Sequence, residues 1–186
     1  MERELIYNIR EQLKSNLSEH RYQHTLGVEY TAAALAMRYG ADIYKAELAG
    51  LLHDCAKEYS NDVLQDLCGK SDVPKTLHAV YGPVLAKEKY GINDAEILAS
   101  IRWHTTGKAN MTLLEKIIYV ADFIEPSRKM ITILPEMRRL AFVDLTYTVY
   151  RISEETISYL KMTETVPDKA TEECFQWLKE NGIHVK

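Results

Sequence analysis

Apolar residues recur at helical spacing along almost the whole chain, and glycine or proline falls between the periodic stretches, so an all-α fold is predicted. One stretch shows the pattern well: His24, Val28, Ala32, Leu35 and Tyr39 mark a single inward helix face. Helices are predicted over about residues 2–15, 18–40, 43–59, 60–69, 75–90, 94–106, 112–125, 143–163 and 168–181. Gly40, Gly69, Gly91, Gly107, Pro126, Pro135 and Pro167 serve as punctuation, Asp42 as the cap of the third helix. Gly82-Pro83 is expected to bend or interrupt the helix that contains it. No repeat or low-complexity tract breaks the pattern. At 186 residues the chain fits one compact helical bundle spanning 1–186, long enough to bury roughly two thirds of its unfolded surface.

The 23 basic and 27 acidic residues leave a net charge of -4. That balance gives no general attraction for nucleic acid or an anionic membrane, so any phosphate binding must be local. Cys55, Cys68 and Cys174 are scattered without CxxC spacing, which suggests neither a disulfide framework nor a zinc ribbon, and a reducing cytoplasm is expected. The opening MERELIYNIREQL is charged and amphipathic, and no window approaches the length of a membrane span. Neither secretion nor membrane insertion is expected.

Against this apolar helical background, the dipeptide His53-Asp54 in LLHDCAKE stands out, with His24, His78, His104 and Asp122 around it in sequence order. Imidazole is a poor core group unless its nitrogens have partners, and a buried carboxylate needs a cation or several donors. A shared metal site meets both needs. His24 shares the inward face of the second helix, one turn after Arg21, and Asp122 sits in the apolar run EKIIYVADFIEP. His53 and Asp54 lie about 100° apart around a helix axis, yet both can reach one ion beside the helix end. His24, His53, Asp54 and Asp122 form a mixed nitrogen and oxygen set that suits iron, manganese or zinc. His78 and His104 would complete a second metal position with Asp54 bridging, or contact phosphate instead. The small residues Ala46, Ala49 and Gly50 before His53 would let a neighbouring helix come close.

His24, then His53-Asp54, then Asp122 resembles the ligand order of the HD-domain superfamily of helical metal-dependent phosphohydrolases. The segments HRYQHTLGVEYTAAALA, LLHDCAKE, LHAVYGPVLA, IRWHTTG and YVADFIEPSR are similar to those of the YqeK family, and together cover most of residues 20–130. The resemblance implies a metal core over about 18–130 with C-terminal helices over 135–186, one or two bound iron ions, and symmetrical hydrolysis of diadenosine tetraphosphate to two ADP. It places metal ligands at His24, His53, Asp54 and Asp122, with no departure from the family pattern.

Asp54 and Lys57 are the expected catalytic residues. Arg21, Lys57 and Arg128 are expected phosphate clamps, each a fixed cation with several N–H donors near a ligand. Thr105 and Thr106 offer hydroxyls after His104, and Pro83 marks a bend that would admit the nucleotide. Cys55 is expected to pack in the core, and His20 and His184 carry no comparable support. Tyr147, Tyr150 and Ile157 read as helix packing or a homodimer face. Three rival readings share parts of the pattern. They are a phosphohydrolase of guanosine tetraphosphate or a deoxynucleotide, a two-iron oxygenase, and a non-catalytic nucleotide-sensing module.

Overall fold

The computed structural model of the chain describes residues 2–70 and 73–181, and over these it is built from α-helices and one 3₁₀ turn. Helix α7 (Leu113–Ile124) explains the layout, because its buried residues cover most of its circumference: Leu114, Glu115, Ile117, Ile118, Tyr119, Val120, Ala121 and Ile124. A helix buried around most of its circumference must be enclosed. Accordingly α2 (Glu19–Tyr39), α3 (Ile43–Leu52), α6 (Ala95–Trp103) and α9 (Leu145–Met162) all pack against it. Its start is fixed by a reciprocal capping box between Thr112 and Glu115.

Around that centre, α1 (Glu2–Asn16) lays Ile6, Ile9 and Leu13 against α3 and α2. The short α4 (Asn61–Cys68) and the 3₁₀ turn Pro74–Thr76 lead into α5 (Leu77–Tyr90), which pairs with α6. Helix α8 (Leu134–Leu140) and α10 (Lys169–Asn181) cover α9, where Tyr150 stacks on Tyr147 and on Phe175 with centroids 6.0 and 5.4 Å apart. Tyr147 and Tyr150 therefore pack within the chain. No helix is long and apolar enough to cross a membrane among the described residues. His184 lies outside them.

Two sequence expectations need correction, and the one at Gly82-Pro83 is narrowed. The third helix ends at Leu52, not near residue 59. Beyond it the backbone follows tight turns, with Cys55 N–H bonded to Leu52 O and Lys57 N–H to Asp54 O, so His53-Asp54 sits at a helix terminus. Helix α5 runs through Gly82-Pro83 without interruption, even though Pro83 removes one donor. Helix α8 was masked by Pro135, which occupies the first turn, where a missing N–H costs nothing.

The contact between α2 and α3 decides where His24 and His53 meet. A Cβ on Gly50 would lie 2.9 Å from Glu29 Cα, a backbone atom that cannot rotate away. Glu29 itself is fully buried, and Arg10 on α1 clamps it with two hydrogen bonds of 2.5 and 3.0 Å. Gly50→Ala should gain about 1 kcal/mol of helix propensity but lose about 1–3 kcal/mol or more to overpacking. A net fall in unfolding free energy is expected in urea titration, with weaker metal binding. A variant as stable as the parent would show that the two helices have slack.

Candidate metal centre

Helix ends bring the polar groups together. His53 and His104 are each the first residue after a helix, α3 and α6 respectively, and each bonds through Nδ1 to the carbonyl three residues back. Those bonds run to Gly50 O at 2.7 Å and Ile101 O at 2.8 Å. A carbonyl only accepts, so both Nδ1 atoms carry hydrogen and both Nε2 atoms are turned into the cluster. Burial pushes His53 down to about 4, which keeps it neutral. On α2, His24 Nδ1 meets Glu125 Oε1 at 3.0 Å, and again Nε2 points inward.

These inward nitrogens crowd one another. His24 Nε2 is 3.2 Å from His53 Nε2 and 3.1 Å from Asp122 Oδ1. His78 Nε2 on α5 is 3.3 Å from His104 Nε2, and both lie 3.3 Å from Asp54 Oδ1. Asp54 Oδ1 is buried and accepts no hydrogen bond. Imidazole nitrogens crowded against one another and a buried carboxylate oxygen without a hydrogen bond are costly arrangements. Divalent cations resolve both, and two groups have spacing suited to an ion: His24, His53 and Asp122, and His53, Asp54 and His104. The donor set fits a divalent metal. At His24 burial acts downward, but the hydrogen bonds with Asp122 and Glu125 outweigh it and raise the imidazole. An ion taking Nε2 would displace a proton there.

Cations line the open side. Arg21 Nη1 donates to Asp54 Oδ2 at 2.6 Å. Arg128 holds Asp122 twice, through the carboxylate and through the backbone carbonyl. Burial would raise the Asp122 carboxyl, but the Arg128 guanidinium leads the opposing effects that hold it well below the ordinary range. Lys57 Nζ lies 3.0 Å from His78 Nε2 and 4.0 Å from Asp54 Oδ1, and burial lowers it. Thr105 Oγ1 sits 2.8 Å from His104 Nε2 and 3.2 Å from His78 Nε2.

Most of the residues singled out in the sequence therefore converge. Thr106 turns its hydroxyl to Gly107 O, away from the cluster, and Pro83 lines neither cavity beside it. Cys55 is buried, its thiol pushed up to about 12, with Sγ 3.6 Å from Gly82 O. His20 is exposed on α2. Glu125 was missed. It is 1 % exposed, bonds His24, and accepts from Ser127 N–H and Oγ–H at 2.6 and 2.7 Å. A Cβ on Gly27 would come within 2.4 Å of Glu125 Oε2, so glycine there makes room for it. The available signal was an acid one turn after Asp122, at the end of an apolar helix and before Pro126.

Comparison with known proteins agrees with this architecture. The HD domain family model matches residues 21–127. Over 176 residues the chain is 40 % identical to a symmetrical bis(5'-nucleosyl)-tetraphosphatase of Bacillus subtilis, covering 89 % of this chain and 93 % of that one. A protein of the same description from Halalkalibacterium halodurans is 42 % identical over 156 residues, covering 80 % and 83 %. A crystal structure from Clostridium acetobutylicum, described as a predicted HD superfamily hydrolase involved in NAD metabolism, superposes with a TM-score of 0.88 at 36 % identity, covering 93 % of this chain and 96 % of that one. With the cluster built from the matched segment and the likeness running through the remaining helices, the chain belongs to the HD-domain family and, within it, to the YqeK family.

Proposed function

We propose that the cluster is the catalytic centre of a symmetrical diadenosine tetraphosphatase, in which water attacks the second phosphorus, the central P–O–P bridge breaks, and two ADP leave. The observation that carries this reading is the Asp54 carboxylate, buried among inward imidazole nitrogens and without a hydrogen-bond donor at Oδ1. His24, His53, Asp54 and Asp122 are the proposed ligands, with His78 and His104 completing a second position. Iron is the ion the family resemblance implies, and manganese and zinc also suit the mixed donor set. When bound, such an ion supplies Lewis acidity to a phosphoryl oxygen and to water.

The chain's own groups supply orientation and charge. Three histidines are locked by Gly50 O, Ile101 O and Glu125, so their nitrogens need no reorganisation. His78 has no such carbonyl clamp and shares its Nε2 with Lys57 and Thr105. Arg21, Lys57 and Arg128 neutralise phosphate oxygens, with Arg21 and Arg128 already held by Asp54 and Asp122. The departing diphosphate is a stable anion and needs little help from a general acid.

With iron, manganese or zinc supplied, chromatography of the products from diadenosine tetraphosphate should show ADP alone, and a chelator should abolish turnover. AMP plus ATP would overturn the symmetric cut. Turnover confined to guanosine tetraphosphate or a deoxynucleotide would move the chain to another phosphohydrolase class. Asp54→Asn is expected to lose about a thousandfold or more in kcat/KM, and full activity in that variant would remove the mechanism. Glu125→Gln should weaken metal affinity about 10–100-fold while kcat at saturating metal stays near the parent's. Metal titration followed by calorimetry and by activity checks this, and unchanged affinity would show that Glu125 does not orient His24.

A further inference from the structure

The cluster is equipped for phosphorus, and none of its groups offers a surface for a base. The HD family match ends at residue 127, whereas a likeness covering 89 % of the chain must extend into the C-terminal helices. Those helices form one wall of a cavity of about 370 Å³, a size within the range that holds small ligands. The facing wall includes Thr105, whose hydroxyl is 2.8 Å from His104 Nε2. Cavity and cluster thus share a residue.

The lining has a polarity of its own. Its charged side chains are Lys75 and Asp168, and hydroxyls and apolar groups make up the rest. Asp168 is fixed: Oδ2 accepts from the Thr76 hydroxyl at 3.1 Å and Oδ1 from Ala170 N–H at 2.9 Å. Tyr159, 58 % exposed, presents a flat ring from α9. Lys75 also lines a second cavity of about 290 Å³ together with Lys57 and His78. A cation therefore stands between the two cavities, on the side of the cluster where His78 lies.

We propose that the larger cavity binds the nucleoside of one half of the substrate, with Tyr159 as the stacking face, Asp168 as the fixed acceptor and Lys75 as the cation at the start of the phosphate chain. This rests on the dinucleotide reading above and adds to it the residues that choose the substrate. Aromatic stacking accepts any base, while an immobilised carboxylate receives a hydroxyl or amine donor. Holding one nucleoside also fixes how many phosphates separate it from the attacked bond, and a symmetric cut needs such a ruler.

The test uses the metal-loaded protein and two probes, ADP and inorganic pyrophosphate, which share phosphates but differ in the nucleoside. Calorimetry should show ADP bound more tightly by the parent. Tyr159→Ala is expected to weaken ADP about tenfold and raise KM for diadenosine tetraphosphate similarly, leaving kcat and pyrophosphate affinity as they were. Asp168→Asn keeps the acceptor for Ala170 N–H at the helix start, puts an amide NH2 where Oδ2 accepted from Thr76, and should weaken ADP about threefold or more. Unchanged ADP affinity in Tyr159→Ala, equal losses for both probes, or no preference for ADP in the parent would overturn the proposal. If the parent fails to release ADP alone from diadenosine tetraphosphate, the enzymatic reading fails instead, while the ADP-specific loss still reports a nucleoside site. Equal melting temperatures of variant and parent exclude a folding defect.

Discussion

The structure is organised around the cost of placing Asp54 among imidazoles whose Nε2 atoms face inward. Asp54 is 3 % exposed, and His24, His53, His78 and His104 are each within the same few per cent. A core of this size stabilises itself by apolar burial, and such a polar centre subtracts from that total unless positive charge is bound in it. Arg21 and Arg128 supply part of that charge from the rim, at Asp54 Oδ2 and Asp122 Oδ1. Neither reaches Asp54 Oδ1, the oxygen left between His78 and His104. Lys57 Nζ stands 4.0 Å from that oxygen, beyond hydrogen-bond reach.

The backbone contributes to the same end. Both α3 and α6 terminate at the cluster, so each turns the partial negative charge of a helix C-terminus toward it. Each terminating histidine also satisfies a carbonyl left without a helical partner, through Nδ1. One bond therefore caps a helix, fixes a tautomer and aims Nε2 inward. Had the third helix continued to residue 59, Gly50 O would have been taken by the backbone and this orientation would be lost. The early stop at Leu52 is part of the site.

The all-α class and most helices were legible because a helical period survives in any amphipathic stretch, as on α2. The convergence of His24, His53, Asp54, His78, His104 and Asp122 was legible because polar groups on apolar faces demand a partner. Three features were not. The stop at Leu52 leaves no mark in the residue pattern, since LLHDCAKEY is compatible with continued helix and only tight turns and side-chain bonds to carbonyls end it. Pro135 reads as a breaker unless its place in the first turn is known. Glu125 looks like an exposed acid before a proline, and its burial follows from the approach of α2, with Gly27 opposite.

A division of labour between the two parts of the chain follows from where charge and hydroxyl groups lie. The segment matched by the HD family carries the imidazoles, the carboxylates and Arg21, with Arg128 one residue beyond it, and in the proposed reading all of these serve phosphate whatever it is attached to. The residues beyond that segment contribute Tyr159, Asp168 and several threonines to the larger cavity, groups suited to a neutral, hydrogen-bonding ligand rather than to a polyanion. Lys75 and Thr105 stand at the junction, one facing both cavities and the other touching both cavity and cluster. In such an arrangement substrate choice is expected to change through α9 and α10 without disturbing the buried centre, because the groups that link them are a hydroxyl, Thr105, and an exposed lysine, Lys75. Replacing a cluster histidine, by contrast, removes a partner from buried polar groups that depend on one another, which is why the chemistry is expected to stay fixed while specificity drifts.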